Sequence, residues 1–346
     1  MNYNAEIPIY LQVIHDLKKK MIQGKILPGE KLPSNRELAV LYKINQNTAA
    51  RIYREMETHG YCYTKRGIGT FVMEEETMFE TIKKEMADEL GISEDAEFIV
   101  GGADTQIALK SVGMGVGDVA VVSGTTSPVA TITDYKYYDK QERCWTDSNL
   151  GGETYQVETN PGVTGLNYQK MKAFLFPDAS YEEMEEEMAK QTEYLCTASF
   201  SSLYFSEKRS LKKGGFVMKA PFETTMKPIH LIWAVVADIA CSIYVQYRSL
   251  CEMTGHEKDY ILGCAGGFQS KMLCQHLADL TGKKLVIREG FSQASINGCL
   301  RICNAYYGID SETESEQAAT IYTPKEDSLI QEYYKEWLKN REMLNP

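Results

Sequence analysis

The sequence has no CxxC pair: its nine cysteines lie scattered between Cys62 and Cys303, and its five histidines stand near no second ligand pattern. Reduced thiols are therefore expected, with no zinc and no other metal site. Cys299 and Cys303, four apart on an expected helix, read as two buried thiols. No apolar run approaches the length of a membrane span. The opening "MNYNAEIPIYLQVIHDLKKK" has no apolar region ahead of a small-residue cleavage site. These two absences argue against a membrane and a secretory signal and for the cytoplasm. Low-complexity linkers and internal repeats are missing too. What remains is 346 residues of ordinary globular composition, 43% hydrophobic and 25% charged, enough for two or three domains.

The charge is unevenly placed. Residues 1–73 hold 11 Lys and Arg against 6 Asp and Glu, a net +5, while the rest of the chain nets −16. A basic N-terminal module on an acidic body suggests that the first part alone meets a polyanion. A random surface imbalance would look the same.

Within that module, "PIYLQVIHDLKKKMIQ" places Tyr10, Ile14, Leu17 and Met21 on one helical stripe. Pro8 suits the first turn and Gly24 the stop. After the turn-rich "LPGEKLP", Ser34 and Glu37 make a capping box for a second helix, whose buried face is expected from Leu38, Leu41 and Tyr42. In the third helix, "NQNTAARIYREMETHG", Ala49, Ile52, Tyr53 and Met56 mark the core side and leave Gln46, Asn47, Arg51 and Arg54 on other sides. "YCYTKRGIGTFV" reads as two short strands around a basic, glycine-containing turn. Three helices and a hairpin make a winged helix-turn-helix, with the first turn of the third helix nearest the bases. Gln46 and Asn47 suit adenine edges, and Arg51 suits a guanine or a phosphate. Arg36, Lys65 and Arg66 would hold phosphates, and Gly67 and Gly69 would let the wing approach the backbone. The periodicity alone also allows a small helical bundle with a solvated polar face.

The run from "LPGEKLPSNRELAVLYKINQNTAARIYREMETHG" to "YCYTKRGIGTFV" resembles the DNA-binding domain of the GntR family of bacterial repressors. The shared pattern is L-P-S-x-R-E-L-A, then N-T, then R-G-x-G-T-F-V. "INQNT" is similar to the YtrA-like branch. The resemblance covers about residues 7–73, includes Thr48 among the DNA-facing residues, and implies a homodimer on a palindromic double-stranded operator.

Residues 74–95 are acidic and read as a connecting helix. "AEFIVGGADTQIALKSVGMG" then reads as strand, glycine-rich turn with Asp104, and a helix from about Thr105. "GDVAVVSGTTSP" reads as a buried strand, Val119–Val122, emptying into a turn where backbone N–H groups and the hydroxyls of Thr125 and Thr126 can cradle a phosphate. A lone Gly-Thr-Thr is equally a plain turn, and Asp104 alone suits a helix N-cap better than a catalytic base. "KPIHLIWAVVADIACSIYVQYRSLCE" is a long apolar helix whose default role is core. "DYILGCAGGFQSKMLCQHLADLTGKKLVI" gives strand, Gly266-Gly267 turn, amphipathic helix and strand. That turn permits a nucleotide to approach closely and is also simply a good strand-to-helix turn. The Tyr- and charge-rich insert from Tyr135 to Asn149 has no evident role, and the polar residues 311–346 read as a tail ending in a helix, Asp327–Met343.

The ordered set G-G-x-D-x-Q, G-D-V-A-V-x-x-G-T-T, "NPGVTGLNYQKMKAFLF", the long apolar helix, "AGGFQSKMLCQHLADLTG" and "QASINGCLRICNAYYG" resembles the C-terminal half of the FGGY carbohydrate kinases, over about residues 86–310. "GGADTQ" is nearest to autoinducer-2 kinases and xylulokinases. The resemblance implies an actin-like, ribonuclease-H-like α/β domain at 96–310. By it Asp104 matches the catalytic base, Gly124, Thr125 and Thr126 the second phosphate loop, and Gly266 and Gly267 the turn against the adenosine. ATP with Mg would be the cofactor of a competent kinase, and no cofactor is certain for this chain. The family's first lobe, with its Asp-x-Gly-Thr phosphate loop, has no counterpart here, so little turnover is expected from the chain alone. The expectation is a transcription regulator with a sugar, sugar phosphate or nucleotide as effector, the half-kinase domain sensing it or mediating dimerisation. The alternative is one subunit of a split carbohydrate kinase.

Overall fold

The computed structural model describes residues 8–22, 25–65, 67–73, 87–93, 99, 101–150, 152–201, 211, 213–309 and 319–344. It divides into two compact units, Met1–Phe98 and Ile99–Pro346. Arg66 and most of the expected connecting helix at 74–95 lie outside the described residues.

In the first unit, helices α1 (Ile9–Ile22), α2 (Asn35–Tyr42) and α3 (Gln46–Thr58) precede a hairpin of β1 (Cys62–Lys65) and β2 (Gly69–Val72). The capping box forms as the sequence demands: Ser34 Oγ accepts the Glu37 N–H at 3.3 Å, and Glu37 Oε2 accepts the Ser34 N–H at 2.8 Å. Val13, Leu17, Leu38, Ala39, Tyr42, Ala49, Ile52, Tyr53 and Met56 close one core. Leu41 is not part of its buried face. It is 63% exposed, and Ala39 takes the inward position instead, because the α2 stripe turns one residue earlier than the apolar pattern suggests. The connector pairs with the hairpin as well: Leu32 N–H donates to Thr70 O at 2.8 Å and Val72 N–H to Glu30 O at 2.9 Å.

The second unit is a layered α/β body. Its seven-stranded sheet contains β3 (Val119–Val122), β4 (Val129–Thr133), β5 (Trp145–Ser148), β6 (Tyr155–Thr159), β9 (Tyr260–Cys264), β10 (Lys284–Arg288) and β11 (Ala319–Tyr322), in spatial order β11-β10-β9-β3-β4-β6-β5. β3, β9 and β10 run parallel, and the flanking strands are antiparallel. A small pair, β7 (Cys196–Ser199) with β8 (Gly215–Met218), stands apart.

Strand alternation sorts the two faces. Val119, Val121, Val129 and Val157 face α7 (Pro228–Thr254), together with α8 (Lys271–Thr281) and α10 (Leu329–Leu344). Ala120, Ala130, Leu262 and Cys264 face the other way, onto α4 (Asp104–Ser111) and Ala294 at the start of α9 (Ala294–Tyr306). α5 (Gly165–Leu175) and α6 (Tyr181–Ala189) complete the body. By length and composition α7 could cross a membrane, contrary to the expectation that no apolar run is long enough. Its most apolar stretch is 78% buried inside the body, as a core helix should be.

The last helix, α10, packs on the body through Tyr333 and Trp337. Tyr333 OH donates to Ala234 O at 3.1 Å, and Trp337 Nε1 donates to Asp238 Oδ1 at 2.8 Å. Arg341 sits 3.7 Å from the same carboxylate. Burial raises the Asp238 carboxyl, against the Arg341 charge and the hydrogen bonds from Phe200, Trp337 and Ser201. Cys299 is exposed and Cys303 half-buried, so this pair is not buried thiols: their helix turns that side outward.

Candidate functional site

The first turn of α3 is set by Asn45, whose Oδ1 caps the Thr48 N–H at 2.7 Å. With the apolar side locked into the core, Gln46 and Asn47 are exposed and Thr48 half-buried. Arg51 is held back from extension: its guanidinium lies 3.8 Å over the Tyr10 ring, and its Nε is 3.6 Å from Glu55 Oε1. Arg36 and Lys65 are exposed. In the hairpin, the Tyr63 and Phe71 rings stack at 5.8 Å with Lys65 Nζ 5.3 Å and 5.5 Å from their centres. Gly67 and Gly69 have φ of +79° and +142°. Gly69 needs to be glycine for its backbone, since an L side chain is strained at that φ, and the Lys31 side chain lies against it. Lys31 is a cation that the sequence reading missed. "LPGEKLP" looked like a turn alone, and only the pairing of Lys31 with Phe71 puts it beside the wing.

In the body, the two glycine-bearing turns come together. Ser123 N–H donates to Cys264 O at 2.9 Å across the parallel pair β3 and β9. Gly267 N–H donates to Ser123 O at 2.7 Å, and a Cβ on Gly267 would meet the Ser123 hydroxyl oxygen at 2.2 Å. Gly124 N–H closes its own turn onto Thr126 O at 2.8 Å, and Thr125 O accepts from Thr164 N–H at 3.0 Å. Thr125 and Gly266 are exposed. Ahead of the glycine pair, Ala265 holds φ +76° and ψ 171°, a region that only glycine enters freely. Asp104 is exposed at the first position of α4, not at its N-cap; Ala103 occupies the cap. The Asp104 Oδ1 accepts the Thr105 N–H at 2.8 Å. The structure thus joins the Gly124–Thr126 and Gly266–Gly267 turns directly and leaves Asp104 as a solvent-facing carboxylate.

Comparison with known proteins follows this division. Residues 9–72 match the bacterial regulatory proteins of the gntR family. The HTH-type transcriptional regulator YhcF of Bacillus subtilis (strain 168) is 39% identical over 88 residues, 25% of this chain and 73% of that protein. The chain belongs to the GntR family. This GntR-family chain is also similar to YoaC of Bacillus subtilis (strain 168), a protein named for a sugar kinase, with 40% identity over 263 residues. That match spans 75% of this chain and 53% of YoaC, so the chain spans about half the length of that relative. Among solved structures, the xylulose kinase of Lactobacillus acidophilus superposes with TM-score 0.61 at 16% identity, covering 89% of this chain and 60% of that one. The xylulose kinase of Rhodospirillum rubrum gives 0.60 at 16% identity, covering 76% and 54%. The body therefore has the actin-like ATPase fold, and the first unit is a winged helix-turn-helix.

Proposed function

We propose that this chain is a one-component transcription regulator. The winged helix binds an operator as a homodimer, and the sugar-kinase-like body senses a sugar, sugar phosphate or nucleotide. The observation that carries the reading is the solvent-facing first turn of α3, Gln46–Thr48, fixed by the Asn45 cap, in one chain with a basic hairpin and a kinase-like body. Arg36, Arg51, Lys65 and Arg66 would hold phosphates or bases, and Gly67 and Gly69 would let the wing bend in. A ligand alters DNA affinity only if it binds the DNA-competent and incompetent arrangements unequally. The test is DNA affinity of the full chain. Asn47→Ala with Arg51→Ala should weaken specific binding at least about a hundredfold, the loss of two base-reading contacts. Wild-type affinity in the double variant would refute the helix assignment.

The joined glycine turns suit a nucleotide. Thr125 and Gly266 are exposed, and Gly267 is hydrogen-bonded to Ser123, the residue before Gly124. ATP with Mg, when bound, would supply a phosphoryl group. In this chain Gly124, Thr125 and Thr126 would form the loop against its phosphates, with Gly266 and Gly267 the turn against its adenosine. A second reading, one subunit of an ATP-dependent carbohydrate kinase, is supported by the identity to YoaC and by the exposed Asp104 carboxylate. There Asp104 would take the proton of a sugar hydroxyl. Mixing the chain with a candidate first lobe, ATP and sugars tests it: turnover abolished by Asp104→Asn supports this reading, and no turnover with any lobe counts against it.

A further inference from the structure

Two arginines of the body converge at a place that neither the DNA-facing residues nor the glycine turns use. Arg288 ends β10. Strand alternation sets it on the same face as Val286, which packs toward α4 and α9. Arg301 lies on α9 one turn beyond Gly298, the residue that lets α9 rest against Ile107 of α4. Both side chains reach the far end of α4. The Cβ position of Gly113, whose φ is +63°, is 3.1 Å from Arg288 Nη1 and 3.4 Å from Arg301 Nη1. Lys110 stands exposed in the last turn of the same helix. Arg288 and Arg301 are both half-buried, so solvent reaches them.

Like charges brought this close repel, and the fold must offer something in return. The C-terminal end of a helix attracts cations through its free carbonyls. Here two of those carbonyls already have donors. Ala108 O accepts from Ser111 Oγ at 2.6 Å and from Cys264 Sγ at 3.8 Å, and Lys110 O accepts from Gly113 N–H at 3.2 Å. The Arg288 side chain makes no hydrogen bond or ion pair among the described residues. The segments around the pair also supply no acid. Residues 105–117 and helix α9 contain no Asp or Glu, in a chain whose residues 74–346 net −16. Asp118, next along, is taken up by Lys258 and Tyr260. The spot is an island of positive charge on an acidic body, and its counter-charge has to come from elsewhere.

We infer that Arg288 and Arg301, with Lys110 in the adjoining turn, form a binding site for the phosphate group of a small molecule. A phosphate dianion brings three acceptor oxygens, bridges both guanidiniums and cancels their repulsion, and a planar guanidinium pairs with it through two parallel N–H···O bonds. A carboxylate carries one charge and satisfies one arginine. A DNA duplex would press its own charge against the acidic body around the site. The inference rests on the body being a ligand sensor and narrows its ligand to a compound that ends in a phosphate, since a neutral sugar offers nothing to two cations.

The test is calorimetric titration of the full chain, at about 50 mM salt, with inorganic phosphate, D-xylulose 5-phosphate and D-xylulose, each up to about 10 mM. Arg288→Gln and Arg301→Gln are titrated beside wild type, with melting temperatures. Wild type should bind a phosphate compound and not D-xylulose, and each substitution should weaken that binding at least about tenfold. Without ligand, Arg288→Gln should melt no lower than wild type, because it removes a repelling charge. Phosphate should raise the melting temperature of wild type and not of the variants. Tighter binding of the ester assigns the site to an organic phosphate, equal binding assigns it to the free ion, and either result supports it. Silence from both phosphate compounds, or equal binding by Arg288→Gln, would overturn the inference. So would variants that melt lower beside a wild type that ignores phosphate, since the arginines would then only hold the fold together. DNA affinity is read on the same samples. A DNA response to D-xylulose 5-phosphate that survives Arg288→Gln refutes the site and keeps the sensor. Phosphate binding that the variants lose, with DNA affinity unmoved by every ligand, keeps the site and refutes the sensor.

Discussion

At the scale of single residues, two positions carry a free-energy cost that the sequence alone does not advertise, one in its backbone and one in its burial. Ala265 sits at positive φ because its N–H donates to Phe291 O at 2.7 Å and its carbonyl accepts from Phe268 N–H at 3.2 Å. Ala265→Gly should raise unfolding free energy by about 1 kcal/mol, the strain that glycine avoids, read as a higher denaturant midpoint at unchanged slope. The His276 ring meets Trp233 edge-on at 5.4 Å, and its Nε2 is sealed from solvent with no partner among the described residues. Burial pushes its pKa down to about 3 from an ordinary 6.5. The unfolded chain therefore takes up a proton below pH 6.5 that the native state refuses, and stability falls as pH drops from there toward 3. His276→Phe should remove about 2 kcal/mol of the loss between ~pH 7 and ~pH 5, seen in melts across that range. An unchanged pH slope would contradict the burial argument.

At the scale of elements, α9 lies close on α4 because Gly298 has no side chain. A Cβ there would meet Ile107 O at 1.9 Å. Gly298→Ala should cost at least about 2 kcal/mol, an overpacked backbone contact that cannot relax by turning a rotamer, measured by urea unfolding. The individual elements were largely legible. The capping box at Ser34, the α3 core stripe, the wing hairpin, strand Val119–Val122 and the helix after Gly266-Gly267 all follow from periodicity and cap chemistry, which are local. What stayed hidden depends on partners far along the chain. Leu41 points outward because the tertiary fit of α2 chooses Ala39. Lys31 reaches the wing through a bridge to Phe71. Trp145 and Glu158 meet only through strand register, which no short window of sequence contains. The direct contact of the two glycine turns, Gly267 on Ser123, was implied by resemblance and not by spacing.

At the scale of the whole molecule, charge separates the two tasks. Residues 1–73 net +5 and the rest nets −16, which supports the proposal that DNA meets the winged helix and not the acidic body. DNA affinity should accordingly fall at least about tenfold between ~50 and ~200 mM salt, measured by anisotropy at several salt concentrations. The account's central claim is that one chain reads DNA through α3 and adjusts that reading through its kinase-like body. The most direct test is fluorescence anisotropy of the full chain on a DNA site selected from a random pool, with and without sugars, sugar phosphates and ATP. The account predicts specific binding that is lost on Asn47→Ala with Arg51→Ala and is shifted several-fold by at least one of these ligands. Binding that survives the double substitution, or that no ligand moves, would contradict it.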